Sequence, residues 1–304
     1  MSPRIGLSRL ARAVALAGVL AATAVVVPDS APPTNDYYLV SVDHAEGVDL
    51  TPDVVWIMAI GSDARPGEDP LHSRGDALQL IGINSKTGAA AAIGIPRDSY
   101  VDIPGHGMEK INAALYFGGP QGMAGAVDNL IGIEPDYVMV TTFKGLIAMV
   151  QDIGGITVHN PVAFSDSHLA PHGFKKGRIT LNGYRAMAFS RARHDLIRGD
   201  FDRSANQQRT IRGIYDRIRQ RADQHGFIEM GVHSVLKHMS SDVDPVQLFR
   251  IAQAIVQVDP TKITTCVVQG GVGYAGAASV VFPDRAMAAR FGDEARDDAT
   301  LERC

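Results

Sequence analysis

Residues 54–60 read VVWIMAI, an unbroken apolar run that ends at Gly61. A continuous run of that length reads as a strand buried in a core, and the chain must fold so as to cover it. Residues 77–84 and 89–95 are also strand-like. They flank Ser85-Lys86-Thr87-Gly88, a short turn with glycine, so the pair reads as a hairpin. Helical patterns follow at 123–131 and 143–153 with a strand-like segment, 137–141, between them, and Gly154-Gly155 stops the second helix. Residues 184–190 lead into an arginine-rich stretch, and 201–224 form a long amphipathic helix. Helices are expected near 229–239 and over 245–258, with a strand at 262–268. Strands and helices mix without strict βαβ alternation. The expected fold is therefore one α/β (α+β) domain, a layered mixed sheet flanked by helices.

The 304 residues are 45% hydrophobic and 20% charged, ordinary globular material. A net charge of -4 argues against a protein that coats nucleic acid, since such domains are strongly basic. The N-terminus differs from the rest: Arg4, Arg9 and Arg12 precede an uncharged apolar run, residues 13–27, followed by a proline-containing stretch. A basic region before a short apolar core is an export signature, and arginines on that side send the remainder across the membrane. The run is brief for a spanning helix, which needs about 20 residues, and Ala22-Thr23-Ala24 offers a weak cleavage site. A retained signal-anchor and a cleaved, secreted form both stay open. The chain has two cysteines, Cys266 and Cys304. An exported protein can pair them, but Cys304 ends a charged tail expected to be mobile, which weighs against the bridge.

Two features invite chemistry that their context does not support. His159, His168 and His172 fall in what reads as a long loop, residues 158–176, without the i,i+4 spacing of helical zinc sites, and are expected to be exposed. Residues 271–276, GVGYAG, match the dinucleotide pattern G-x-G-x-x-G, but a strand follows where a helix is required, so a glycine-rich loop suffices.

The charged residues at strand ends are more demanding. Gly61-Ser62-Asp63-Ala64-Arg65 follows the first strand, Arg74-Gly75-Asp76 introduces the second, and Ile95-Pro96-Arg97-Asp98-Ser99 closes the third. Two carboxylates from adjacent strand ends, Asp63 and Asp76, can share a hard cation such as Mg²⁺ while substrate phosphates complete its shell. Pro96 fixes the direction in which Arg97 leaves the strand. Lys110 and Asn112 add a cation and an amide. Residues 189–208, FSRARHDLIRGDFDRSANQQ, then supply Arg191 and Arg193, which in an extended segment lie on one side. The helix that follows puts Asp200, Arg203 and Gln207 on one face. Guanidinium forks balanced by carboxylates suit a metal-bound pyrophosphate.

These blocks in order, GSDAR, SRGD, IPRDS, KIN, Gly154-Gly155, LNGYRAMAFSRAR and GDFDRSANQQR, resemble the LytR–CpsA–Psr family of cell-envelope proteins over about residues 54–215. Asn160-Pro161 stands where the family has a Val-Pro step, and residues 169–173, LAPHG, match no part of its pattern. The resemblance implies a cytoplasmic basic region (1–12), a signal or anchor (13–27), a stalk (28–52), a catalytic domain (53–215) and its continuation (216–304). It further implies an extracytoplasmic domain at the cell membrane that transfers a glycan polymer from a polyprenyl-pyrophosphate carrier to peptidoglycan through a phosphodiester link.

On that resemblance Asp63 and Asp76 are the magnesium-associated residues. Arg74, Arg97, Lys110, Arg191, Arg193 and Arg203 bind pyrophosphate, with Asn112, Asp200 and Gln207 as polar partners. Asp76 and Asp200 are both candidates for the base, beside Arg97, Arg191 and Arg193 as catalytic groups. The prenyl chain requires an apolar groove, for which residues 143–150 and the apolar face of 201–224 are candidates. A pyrophosphatase of the same lipid, or a non-catalytic lipid-binding regulator, would use the same residues.

Overall fold

The computed structural model describes residues 36–43, 53–193, 195–221 and 239–304. The basic region, the apolar run, much of the stalk and residues 229–238 of an expected helix lie outside the described residues. The first half of the chain runs through β1 (Tyr37–Ser41), β2 (Val54–Ser62), β3 (Gly75–Asn84), β4 (Ala90–Gly94), β5 (Tyr100–Ile103), β6 (Gly107–Lys110), α1 (Ala114–Ile131), β7 (Tyr137–Thr141) and α2 (Phe143–Asp152). It continues through β8 (Ile156–Asn160), β9 (Phe164–Asp166), β10 (Ala170–Phe174), β11 (Gly177–Leu181), α3 (Gly183–Arg191) and α4 (Asp200–Arg221). The last elements are β12 (Met239–Ser241), α5 (Pro245–Gln257), β13 (Ile263–Val267), β14 (Gly270–Ala275), β15 (Ala278–Pro283) and α6 (Arg285–Ala295).

Seven strands form one mixed sheet in the order β12-β1-β7-β2-β3-β4-β13. The unbroken apolar run sits at its centre, antiparallel to β3 and parallel to β7. Strand alternation explains why that run has no polar positions. Val54, Trp56, Met58 and Ile60 pack on one face with α1 and α6, whereas Val55 and Ile57 face α5 on the other. Both sides of β2 are covered, so neither tolerates polar residues. Asn84 accepts from the amides of Lys86 and Thr87, at 3.0 and 2.9 Å, and closes the expected β3–β4 hairpin. A third cluster joins α2 and α3 to the strands between them, through Val150, Phe164, Phe174 and Phe189.

Several expectations need correction. The stalk is not all unstructured, because Tyr37–Ser41 pairs with β7 and β12 as a strand of the main sheet. Its alternating burial, with Tyr37 and Leu39 inward, is too short a pattern to rise above proline-containing surroundings. The long loop is instead two antiparallel pairs, β8 with β11 and β9 with β10, on which His159, His168 and His172 stand exposed. The glycine-rich segment is a strand, β14, paired along its length with β15. The cysteines do form a disulfide, Cys266 to Cys304. The tail is held because Ala299 and Leu301 bury in the main core and the Leu301 amide donates to Thr264 at 3.2 Å.

Candidate active site

The end of β2 and the start of β3 bring Asp63 and Asp76 together. A register shift between Gly61 and Ser62 breaks the pairing just before Asp63. The Asp63 amide then donates to the Arg74 carbonyl at 3.0 Å, and the Arg74 amide returns a bond to Asp63 Oδ1 at 3.1 Å. Burial, with the Asp76 charge next, raises the Asp63 carboxyl above its ordinary value, against the Arg74 amide and the arginine charges. Two mutually repelling carboxylates are a donor set of hard oxygens and fit a divalent cation. Among the described residues no group of three or more His, Cys, Asp or Glu forms a complete cage, so such an ion would need oxygens from a ligand.

Asp76, buried, also anchors the arginines. Arg97 Nη1 bonds its Oδ1, and Arg191 Nη2 stands 3.6 Å from Oδ2. Burial lowers the Arg97 guanidinium, yet Asp76 and Asp98 outweigh it and hold Arg97 above its ordinary value. Lys110 Nζ bonds Asp98 at 3.0 Å, which ties that cation to the cluster. Arg203 is almost fully buried and pairs with Asp200 one turn earlier on α4. Burial pushes Arg203 down and the Arg97 charge adds to it, opposed by Asp200.

Arg191 is the last residue of α3, so the expected extended segment carrying Arg191 and Arg193 is absent: helix geometry extends through Arg191. Arg191 stacks on the Phe143 ring at 3.8 Å. Arg193 is exposed and makes no ion pair among the described residues. Arg198 pairs outward with Asp202 at 2.9 Å. Arg74 is exposed, and with Lys110 and Asn112 it lines a smaller cavity beside the cluster. The structure therefore joins Asp76, Arg97 and Arg191 directly, Asp200 with Arg203, and Lys110 through Asp98.

Polar groups beneath the cluster fix α4 to the sheet. Gln207 Nε2 donates to the carbonyls of Asp76 and Ser190, each at 3.3 Å, and its Oε1 accepts from Gln79 Nε2 at 3.2 Å. Gln208 donates to the Ala92 and Cys266 carbonyls at 3.2 and 2.7 Å. Gly94 makes this approach possible, since a Cβ there would come within 2.5 Å of Ser204 Oγ. The sequence reading missed Gln79, Asp98 and Ser204. A lone glutamine inside the strand LQLIGI was the available signal for the first, because a buried amide needs partners.

Behind Asp76, Arg191, Arg203 and Gln207 opens a cavity of about 360 Å³. Ile57, Ala59 and Ile81 of the sheet, Phe143, Leu146 and Met149 of α2, and Ile211, Ile214 and Ile218 of α4 form its walls. Both segments expected to supply an apolar groove do line it.

The family described as LytR_cpsA_psr matches residues 34–297. The chain belongs to this family. A curated LytR_cpsA_psr relative, the polyisoprenyl-teichoic acid–peptidoglycan teichoic acid transferase TagU of Bacillus subtilis, is 37% identical over 162 residues, 53% of this chain and 51% of the relative. The chain thus spans about half the length of the curated relative it matches. The crystal structure of B. subtilis TagV shares the fold, with a TM-score of 0.65 and 26% identity, over 79% of this chain and 94% of that one. YwtF (TagT), solved with bound octaprenyl pyrophosphate lipid, has a TM-score of 0.61 at 21% identity, over 82% of this chain and 94% of that one. The LytR_cpsA_psr domain begins at residue 34, which agrees with a sheet that already includes β1.

Proposed function

We propose that this protein moves a glycan polymer from a polyprenyl-pyrophosphate carrier to peptidoglycan and leaves a phosphodiester link. One observation carries the reading: the arginine–aspartate cluster is the mouth of an apolar cavity, so one ligand with a diphosphate head and a hydrocarbon tail satisfies both. The lipid in the TagT structure and the transferase name of TagU support it.

Arg97 and Arg191 offer planar forks to the diphosphate, Arg203 supplies fixed charge behind them, and Arg74, Lys110 and Arg193 approach from the solvent side. Asp63 and Asp76 would hold Mg²⁺, which supplies charge neutralisation to the diphosphate when bound. A sugar hydroxyl of the acceptor attacks the glycan-bearing phosphorus in line. A new P–O bond forms, the bond to the polyprenyl phosphate oxygen breaks, and the arginines stabilise the charge left on that oxygen. Asp76 is engaged by Arg97 and Arg191 directly, while Asp200 pairs with Arg203 and feels the Arg97 charge from further away. Asp200 is then the group that takes the hydroxyl proton. The N-terminal export signature and the disulfide, at home in an oxidising compartment, support an extracytoplasmic site at the membrane.

The test is to incubate the full-length protein in detergent with a defined polyprenyl-pyrophosphate glycan, peptidoglycan and Mg²⁺. A phosphodiester-linked product is expected, and Asp76→Ala should abolish it while the variant stays folded. Phosphate release at the same rate without acceptor would identify a pyrophosphatase and overturn the reading.

A further inference from the structure

Asp76 aside, the β3 residues that line the large cavity are Ala77, Gln79, Ile81 and Ile83. Gln79 is the polar one, and it is only 1% exposed. Its neighbours fix which way its amide points. Nε2 donates to Ser204 Oγ at 3.1 Å, to the Ser204 carbonyl at 3.4 Å and to Gln207 Oε1 at 3.2 Å. Turned over, the amide would set its own oxygen against two carbonyl oxygens. In the orientation it takes, Oε1 is buried and has no hydrogen-bond partner among the described residues. An unpaired buried acceptor is a cost that methionine, of similar size, would not carry in its own side chain. Such a cost is tolerated where the amide does something for its neighbours.

Gln207 is the neighbour that matters. Its Nε2 gives its two hydrogens to the carbonyls of Asp76 and Ser190. Asp76 carries the carboxylate that bonds Arg97 and faces Arg191, and Ser190 is the residue before Arg191 at the end of α3. A donor on one side of Gln207 and two acceptors on the other leave its amide a single orientation. Gln79 supplies that donor. Gly94, its partner across the β3–β4 pair, leaves the room, since a Cβ there would stand 3.1 Å from Gln79 Oε1.

We propose, on the basis of the transfer reading above, that Gln79 is a positioning residue for the reaction. By donating to Gln207 it holds the backbone of Asp76 and the end of α3 together, and with them the carboxylate and the Arg191 fork that meet the diphosphate. Gln79 bonds neither of those charged groups itself. Its loss should therefore be felt in turnover, where a small misplacement is costly, more than in retention of the lipid tail by the apolar walls.

A double-mutant cycle on the full-length protein in detergent tests this, with a polyprenyl-pyrophosphate glycan, peptidoglycan and Mg²⁺ as reactants. Gln79→Met should lower kcat at least about tenfold while affinity for bare undecaprenyl pyrophosphate stays within about threefold. Its Tm should stay within about 4 °C of the wild type, because one unpaired acceptor is exchanged for another. In a Gln207→Met background the same change should lower kcat by less than about twofold more, since the route is already cut. In a Ser204→Ala background it should still cost about tenfold. Should Gln79→Met or Gln207→Met not fold, Gln79→Leu and Gln207→Glu take their places; the latter keeps the oxygen and loses both donors. A kcat for Gln79→Met within about twofold of the wild type overturns the proposal, and so does a full tenfold loss in the Gln207→Met background. A wild type that transfers nothing overturns the transfer reading and the positioning role with it, whereas a transferring wild type with an indifferent Gln79→Met removes the positioning role alone.

Discussion

The two faces of the central sheet carry similar side chains but different solids. Toward α1 and α6, Met58, Leu78, Leu80 and Ile93 are completely buried in one continuous core. Toward α2 and α4, Ile57, Ala59 and Ile81 border a cavity of about 360 Å³. Apolar residues on a strand signal that something covers them; they do not signal whether protein or ligand does so. The helices decide. Where α1 and α6 settle onto the sheet, side chains interdigitate. The start of α4 is held to the sheet by Gln207, Gln208 and Ser204, and its later apolar residues Ile211, Ile214 and Ile218 line the cavity.

Substitution on neighbouring residues of β3 should separate the faces most strongly. Leu80→Ala opens a hole in the packed face and should cost about 2–5 kcal/mol in urea denaturation. Ile81→Ala enlarges an existing space and should cost less than about 1.5 kcal/mol. Equal losses would mean that the second face is packed too. Filling the cavity is the complementary test. Ala59→Phe should lower affinity for polyprenyl pyrophosphate at least about tenfold while Tm stays within about 2 °C of the wild type; a fall in Tm with unchanged lipid binding would remove the cavity from the ligand site.

The charged mouth allows finer comparisons. Arg191→Lys loses the planar fork offered to the diphosphate and the stack on Phe143, and each lost charge-assisted contact is worth roughly 1.5–3 kcal/mol. Pyrophosphate-lipid affinity should fall about tenfold or more, measured by titration. Arg193→Lys should weaken the lipid as well but leave the ligand-free protein unchanged, since Arg193 makes no ion pair among the described residues. Arg198→Lys, paired with Asp202, should shift stability by less than about 0.5 kcal/mol and binding not at all. Three equal affinities would reduce the cluster to a charged surface.

The smallest expected effect concerns Asp63. Its carboxyl is raised by burial and the Asp76 charge, so the folded state binds its proton more tightly than the unfolded state does. Stability must then fall as pH rises from the unfolded value through the folded one, and the penalty persists above it. Asp63→Asn keeps the oxygen that accepts from the Arg74 amide and should raise Tm at neutral pH, while eliminating the response of lipid binding to Mg²⁺. A lower Tm would show that the negative charge is stabilised and that the carboxylate pair is not strained by repulsion.

What the sequence alone determined was mostly local. The apolar run, the hairpin with its Asn84 turn, α2, β7, α4 and α5 were legible because period, turn chemistry and helix stops are properties of neighbouring residues. The ordered motifs likewise located Asp76, Arg97, Arg191 and Arg203, and the structure brings these charges together. Tertiary structure decided the rest, for reasons that neighbours cannot carry. Tyr37–Ser41 is a strand because β7 and β12 pair with it, and Cys304 lies within reach of Cys266 where Ala299 and Leu301 bury in the core. Arg191 separates from Arg193 because α3 continues one residue further than an extended reading allowed. The cavity is enclosed by the sheet, α2 and α4, and α4 is tied to the sheet by glutamines more than a hundred residues from these partners.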